Sequence, residues 1–375
     1  MPSNMRIEPL RYDPSFEVIA PDEETTNRQI TETMRSISQK TFDDTGHAKR
    51  AVHAKAHALL TGEMKVLNGL PPIFAQGIFA ASRTYPIVLR FSTTPGDILD
   101  DSVSLPRGLA LKVIGVEGER LAGSEGMSTQ DFLMINAPAF GAPDAKRFRS
   151  VLKLVAATTD RGEGLKKGLS AVLRGVEWAI ESFGGKSGTL IALGGHPLTN
   201  PAGESYFTQV PMLYGPYMAK FSLVPVSSEL QALTGAEVDL AGRPNGLREA
   251  LKSFFATHGG EWEFRAQLLT DREKMPVEDA SIVWPEDLSP YNPIARLSVL
   301  PQSAHDEVRH QRLDEAMAFS PWHGVEAHRP IGSVMRARKP VYEMSSQFRA
   351  EHNHCPISEP RSAVRSKPIE ESEAN

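Results

Sequence analysis

A single cysteine, Cys355, is all that the 375 residues contain. That excludes an internal disulfide and any thiolate zinc cluster. No stretch approaches the ~20 uninterrupted apolar residues that span a bilayer, and the opening MPSNMRIEPLRYDPS has neither a basic n-region nor an apolar h-region. A cytoplasmic chain without a membrane span is expected. Net charge is only -5 at pH 7, which offers no positive field for nucleic acid or acidic lipid, so a polyanion partner is not expected. Chemical signatures are scarce too. There is no GxSxG elbow, and the glycine pairs of FGGKSG and ALGGHP lack the spacing of a phosphate loop leading into a helix. The HNHC run from His352 to Cys355 has no further ligands at suitable spacing, so it argues poorly for a metal site. What remains is an ordinary globule, 40% hydrophobic and 23% charged, long enough to bury a large core.

The hydrophobic pattern changes period along the chain. Residues Glu23 to about Lys40 suit a mostly polar helix, an arm (1–40) that packs on something else and points to a homodimer. FDDTGHAKRAVHAKAHALLTGEM then leads toward the first extended segment. GIFAASRTYPIVLRFSTT, GLALKVIGVEG and DFLMINAPAF are short apolar or alternating runs between turn residues and read as antiparallel strands. Helical spacing returns between Asp144 and Phe183. Strands resume in SYFTQVPMLYGPYMAKFSLVPV, GEWEFRAQLLTD, SIVWP and ARLSVLP. The expectation is an α+β chain whose seven or eight strands suffice to close a barrel, with a main domain over 41–355. The polar, proline-bearing 356–375 is expected to be a disordered tail.

Two segments carry candidate chemistry. RAVHAKAHALLTGEM places Arg50, His53 and Lys55 among small apolar residues; His53 is either a satisfied core histidine or a proton-handling group facing a pocket. In VMRARKPVYEMSSQFR, Arg338 precedes Tyr342 by four residues and Arg349 follows by seven. On a helix these offsets put all three side chains on one face. Guanidiniums beside a phenol favour the phenolate, a competent ligand for ferric haem iron. The competing reading is a solvated basic helix face.

Taken in chain order, these pieces resemble the haem catalase family from about Thr41 to Arg349. Its distal-histidine motif is similar to Arg50-Ala51-Val52-His53-Ala54-Lys55, its VRFST strand to Leu89-Arg90-Phe91-Ser92-Thr93, and its RGFALK strand to Arg107-Gly108-Leu109-Ala110-Leu111-Lys112. LTKVWP and the strand after it resemble Ala280 to Pro285 and Ile294 to Leu300; AFxP resembles Ala318 to Pro321. The proximal RxxxYxDTxxxR motif becomes Arg338, Tyr342 and Arg349.

The resemblance implies ferric haem b held by Tyr342, with Arg338 keeping the ligand a phenolate. It implies His53 as the distal acid–base group and Ser92 as its hydrogen-bond partner. Arg50, Arg90 and Arg349 would meet the haem propionates, and Val52 and Phe140 would pack against the ring. The sequence departs from the family in two places. The distal asparagine segment is replaced by Ser128-Thr129-Gln130-Asp131, leaving Thr129 or Gln130 as its substitute, and Met344-Ser345 replace the Asp-Thr after the tyrosine. The extra C-terminal helices of long catalases are missing. The implied type is a short catalase-related peroxidase, taking hydrogen peroxide or an organic hydroperoxide with a small organic electron donor, with weak catalase activity. A fatty-acid hydroperoxide isomerase or lyase, and a non-catalytic haem-binding protein, are the alternatives.

Overall fold

Period-two alternation lets the strands of this chain serve two cores at once. In β2, Tyr85, Ile87, Leu89 and Phe91 join one apolar cluster, whereas Val88 joins another on the opposite face. The computed structural model describes residues 7–159, except 95, 97 and 104, together with 198–306 and 313–364. Within them lie β1 (Lys55–Val66), β2 (Thr84–Thr93), β3 (Arg107–Ile114), β4 (Thr129–Ile135), β5 (Tyr206–Phe207), β6 (Met212–Tyr214), β7 (Tyr217–Pro225), β8 (Gly260–Leu268) and β9 (Asn292–Val299). The helices that matter are α1 (Glu23–Thr45), α2 (Ala145–Thr159), α3 (Gly246–Thr257) and α4 (Ser333–His352).

The strands pair in the order β5-β4-β3-β2-β1-β9-β8-β7, and a β5–β7 pairing closes the ring. All pairings are antiparallel, so the molecule is built on a closed antiparallel barrel of eight staves, as the sequence predicts. The short β6 pairs with β7 as well, at Met212↔Ala219. Aromatic rings fill the interior: Phe221 stacks on Phe264 at 5.3 Å and Phe132 meets Phe264 edge-on at 4.9 Å. His328 sits among them, fully buried, accepting from the Ile78 amide at 3.1 Å.

Two sequence readings need correction. SIVWP is no strand; its residues form a loop between β8 and β9. Asp279 takes the Ser281 amide and hydroxyl into a turn (3.0 and 2.6 Å), Pro285 has no ladder donor, and Trp284 is buried with its indole on the Pro276 carbonyl. The second half of the segment read as a lead-in to the first extended run, from Lys55 onward, is already β1, which buries Ala58, Leu60, Met64 and Val66 inside the barrel.

Met317 and Phe319 cover the outer face of β1–β4 at Leu59, Val88 and Ile114, and the helices form a core of their own. On α4 the stripe Ala337, Val341, Met344 and Phe348 packs with Ile30 and Met34 of α1 and with Ala145 and Leu152 of α2. The polar arm helix therefore lies on helices of its own chain. Arg336 fixes the start of α4 by meeting Glu17 (2.5 Å), Glu23 (2.6 Å) and Glu278 (3.0 Å). Of the predicted second helical stretch and the tail, 160–197 and 365–375 lie outside the described residues. Residues 356–364 run back over the barrel, where the Ser358 amide donates to Ala316 (2.9 Å).

Candidate functional site

Between the end of α1 and β1 the backbone is irregular, and His53 adopts φ 54°, a left-handed conformation uncommon for a residue with a side chain. This turn lays the imidazole over β2 and β3. Nδ1 lies 3.1 Å from Ser92 Oγ, and Ser92 in turn lies 3.5 Å from the Gly108 carbonyl. Ser92 and Gly108 are register partners. A Cβ at Gly108 would stand 2.5 Å from the imidazole, so only glycine leaves room for the ring. Burial foremost, then Arg90 and Arg338, push the His53 pKa down to about 3.

Across from this turn stands α4. The helix brings Arg338 and Tyr342 onto one face as their spacing predicts, and Arg338 Nη2 donates to the Tyr342 hydroxyl at 3.0 Å. Ala51, Val52, Ala318 and Phe319 bound one narrow slot together with Val341, Tyr342 and Ser345. Arg50 and Arg349 stand at its end and also line a second cavity of about 500 Å³.

The three predicted propionate arginines converge here. Arg90 Nε and Arg50 Nη2 reach one oxygen of Asp314 at 2.7 and 3.0 Å, and Arg90 also donates to the His53 carbonyl at 2.9 Å. Arg349 donates to the carbonyls of Glu315 (2.8 Å) and Met317 (3.2 Å). Burial, against the pull of Asp314, holds Arg50 and Arg349 below the ordinary arginine value. Asp314 escaped sequence reasoning, since nothing in LDEAMAF marks it as the anion of a buried arginine cluster.

Other expected residues are placed differently. Phe140 meets the Phe148 ring at a tilt (5.4 Å) and donates its amide to the Ala280 carbonyl, and it does not line the slot. Thr129 pairs in register with Ile114, whereas Gly108 pairs with Ile135, which separates Thr129 from the imidazole's support by about 20 Å of extended strand. Its hydroxyl donates to Glu359 at 3.2 Å. Glu359 belongs to a buried cluster with Asp131, His323 and Lys112. The Lys112 ammonium contacts both Asp131 oxygens (2.7 and 2.8 Å) and Glu359, so it supplies the cation among these ligand-type groups. Gln130, the other expected substitute, accepts from the Val325 amide at 3.0 Å.

The donor set suits a ferric porphyrin: a phenol oxygen beside a guanidinium, a neutral imidazole, and three buried guanidiniums for two carboxylates. The slot encloses only about 40 Å³ in this structure, so its walls must part to admit such a ring.

No family model matches the chain, and no curated protein matches it in sequence. Solved structures do match in fold. A fungal catalase superposes with TM-score 0.57 at 17% identity, covering 99% of this chain and 72% of its own. Catalase A of Saccharomyces cerevisiae gives TM-score 0.59 at 17% identity, covering 99% of this chain and 75% of its own. At that identity the likeness is one of fold: this chain has the catalase-like barrel.

Proposed function

We propose that this chain is a haem b peroxidase that reduces hydrogen peroxide or an organic hydroperoxide at the expense of a small organic donor, with weak catalase activity. One observation carries the reading: Tyr342, its hydroxyl 3.0 Å from Arg338, faces the Arg50–Val52 segment across a single slot. When bound, ferric haem would supply the redox-active iron at which a hydroperoxide is reduced and cleaved. The chain's residues do the rest. Tyr342 is the ligand, Arg338 the cation beside it, and Arg50, Arg90 and Arg349 the partners of the propionates; Val52 packs against the ring.

His53 handles the proton. The Ser92 hydroxyl directs its own hydrogen toward Gly108, so its oxygen accepts from Nδ1–H and leaves the Nε2 lone pair as the base. That nitrogen takes the proton from the inner peroxide oxygen and returns it to the outer one as the O–O bond breaks. Peroxide-dependent oxidation of a chromogenic donor should collapse in His53→Ala; a variant that keeps the parent rate sinks the assignment.

A second reading has its own support. The Thr129 hydroxyl is engaged by Glu359, and the β4 residues in register with Gly108 and Ala110 are the apolar Ile135 and Leu133. A distal side without a polar side chain from β4 suits rearrangement of a fatty-acid hydroperoxide by an isomerase or lyase. Consumption of a lipid hydroperoxide without reductant, giving one epoxide or aldehyde, favours that reading over the first.

A further inference from the structure

Past α4 the chain leaves the stretch that resembles the catalase motifs and turns back across β3 and β4. Glu359 is the anchor. Its carboxylate, with the side chain 8% exposed, meets the Lys112 ammonium, the Thr129 hydroxyl (3.2 Å) and the Ala318 amide (3.3 Å). One residue earlier the Ser358 amide donates to the Ala316 carbonyl at 2.9 Å. Five residues later Val364 joins the apolar cluster of Met317 and Phe319. These ties converge on the irregular stretch 316–319, and Ala318 and Phe319 are walls of the slot. The same stretch is held from its other side by the arginines, since the Met317 carbonyl accepts from Arg50 (2.9 Å) and Arg349 (3.2 Å). The next residue is fixed to the barrel itself, because the Ser320 amide donates to Asp131 of β4 at 3.0 Å.

We infer that residues 356–364 are a strap that latches the 316–319 wall over the slot, and that its release sets the rate at which the cofactor enters; the second half rests on the haem reading above. The slot of about 40 Å³ has to widen for a porphyrin. Two of its walls are built in. Tyr342 stands on α4, whose apolar stripe packs on α1 and α2, and Arg90 of β2 holds the turn at the His53 carbonyl (2.9 Å). The 316–319 wall belongs to no helix or strand, so it parts at the cost of few bonds. The apparent affinity for haem is then reduced by the fraction of molecules in which this wall is latched. Weakening the latch raises the association rate and the affinity by one factor and leaves dissociation unchanged.

The test uses the full chain without haem, as the parent, Glu359→Ala and Ser358→Pro; the first removes the carboxylate, the second the amide that meets Ala316. Hydrogen exchange read by mass spectrometry should be about tenfold faster over 316–320 in both variants, the loss of one hydrogen bond, while the β2 amides keep the parent rate. Stopped-flow mixing with ferric haem, followed in the Soret band, should show association about tenfold faster in both, with release to a scavenging apoprotein unchanged. Exchange at the parent rate in both variants overturns the strap. So does an effect confined to Glu359→Ala, which reports only the lost partner of Lys112. Faster exchange with unchanged haem association overturns the gate and leaves the haem reading standing. If neither the parent nor a variant changes the Soret band, the haem reading falls and the gate with it, while the exchange rates still decide the strap.

Discussion

The imidazole of His53 rests on Gly108, and a single added methyl there would lie 2.5 Å from both Nδ1 and Cε1 of the ring and 3.1 Å from Ser92 Oγ. Gly108→Ala must therefore tilt the ring off Ser92 while the β2–β3 ladder persists. A displacement of this kind costs about a hundredfold in rate. Stopped-flow measurement of the reaction with peroxide, with circular dichroism as the fold control, checks it; an undiminished rate would show that His53 is not held for catalysis.

The depressed pKa of His53 has a sign that both kinetics and stability must follow. In the fold it protonates at about 3, against 6.5 ordinarily. Between those values the unfolded chain binds the extra proton, so this residue's contribution to stability falls as pH drops below 6.5 and is fully lost by about 3. Above that window it is constant. The same placement keeps the base unprotonated, so the peroxide reaction should show no inflection between about pH 5 and 8 attributable to it. A falling limb near the ordinary histidine value, absent in a His53→Gln protein, would contradict the placement.

Lys112 and Asp131 are both fully buried and joined at 2.7 Å. Lys112→Met leaves Asp131 and Glu359 without their ammonium and should cost about 3–5 kcal/mol in urea unfolding. A loss below about 1 kcal/mol would mean that His323 or solvent takes over the charge.

The arginine cluster gives a prediction with two opposite arms. Asp314 is the carboxylate that Arg50 and Arg90 share. Asp314→Asn should lower the melting temperature of the haem-free protein, because two buried guanidiniums lose their anion. It should also tighten haem binding about tenfold, because three cations then face the propionates alone. A Soret titration that shows weaker binding instead would place the propionates elsewhere.

What the sequence made legible was chiefly what is local in the chain. Arg338, Tyr342 and Arg349 share a helix, so the helical period alone foretold their common face. The barrel was visible in the alternation of β2, β3, β4, β7, β8 and β9, but β1 was hidden because its outward positions carry His57 and Thr61 and both of its faces are buried. SIVWP had strand composition without strand hydrogen bonding. The His53–Ser92 contact joins residues 39 apart and was reached only through likeness to a family. Gly108 stood inside a quoted motif, yet its role as the floor under the imidazole emerges only from the β2–β3 register. Thr129 was placed by order along the chain, and strand register sets it opposite Ile114 and gives its hydroxyl to Glu359.

The remaining prediction concerns the proximal ligand. Tyr342 borders the slot, its hydroxyl is the phenolic oxygen that Arg338 reaches at 3.0 Å, and the Arg338 guanidinium also lies 5.2 Å from the ring centroid. An anionic oxygen ligand stabilises ferric over ferrous iron, so the purified protein should be high-spin ferric and resist dithionite. Tyr342→Phe keeps the ring that packs there and removes only the oxygen. It should lose haem or bind it weakly, while the barrel, whose aromatic core does not include Tyr342, retains its melting temperature in the haem-free state. Arg338→Ala removes the cation beside that oxygen and should retain more haem than Tyr342→Phe, with an altered ferric spectrum. His352 is a poor rival, because its ring stacks on Phe348 at 3.9 Å and its Nδ1 bonds to the Phe348 carbonyl. If Tyr342→Phe bound haem with an unchanged ferric spectrum while a change at His352, His354 or Cys355 abolished binding, the proximal assignment would be wrong, and the peroxidase reading with it.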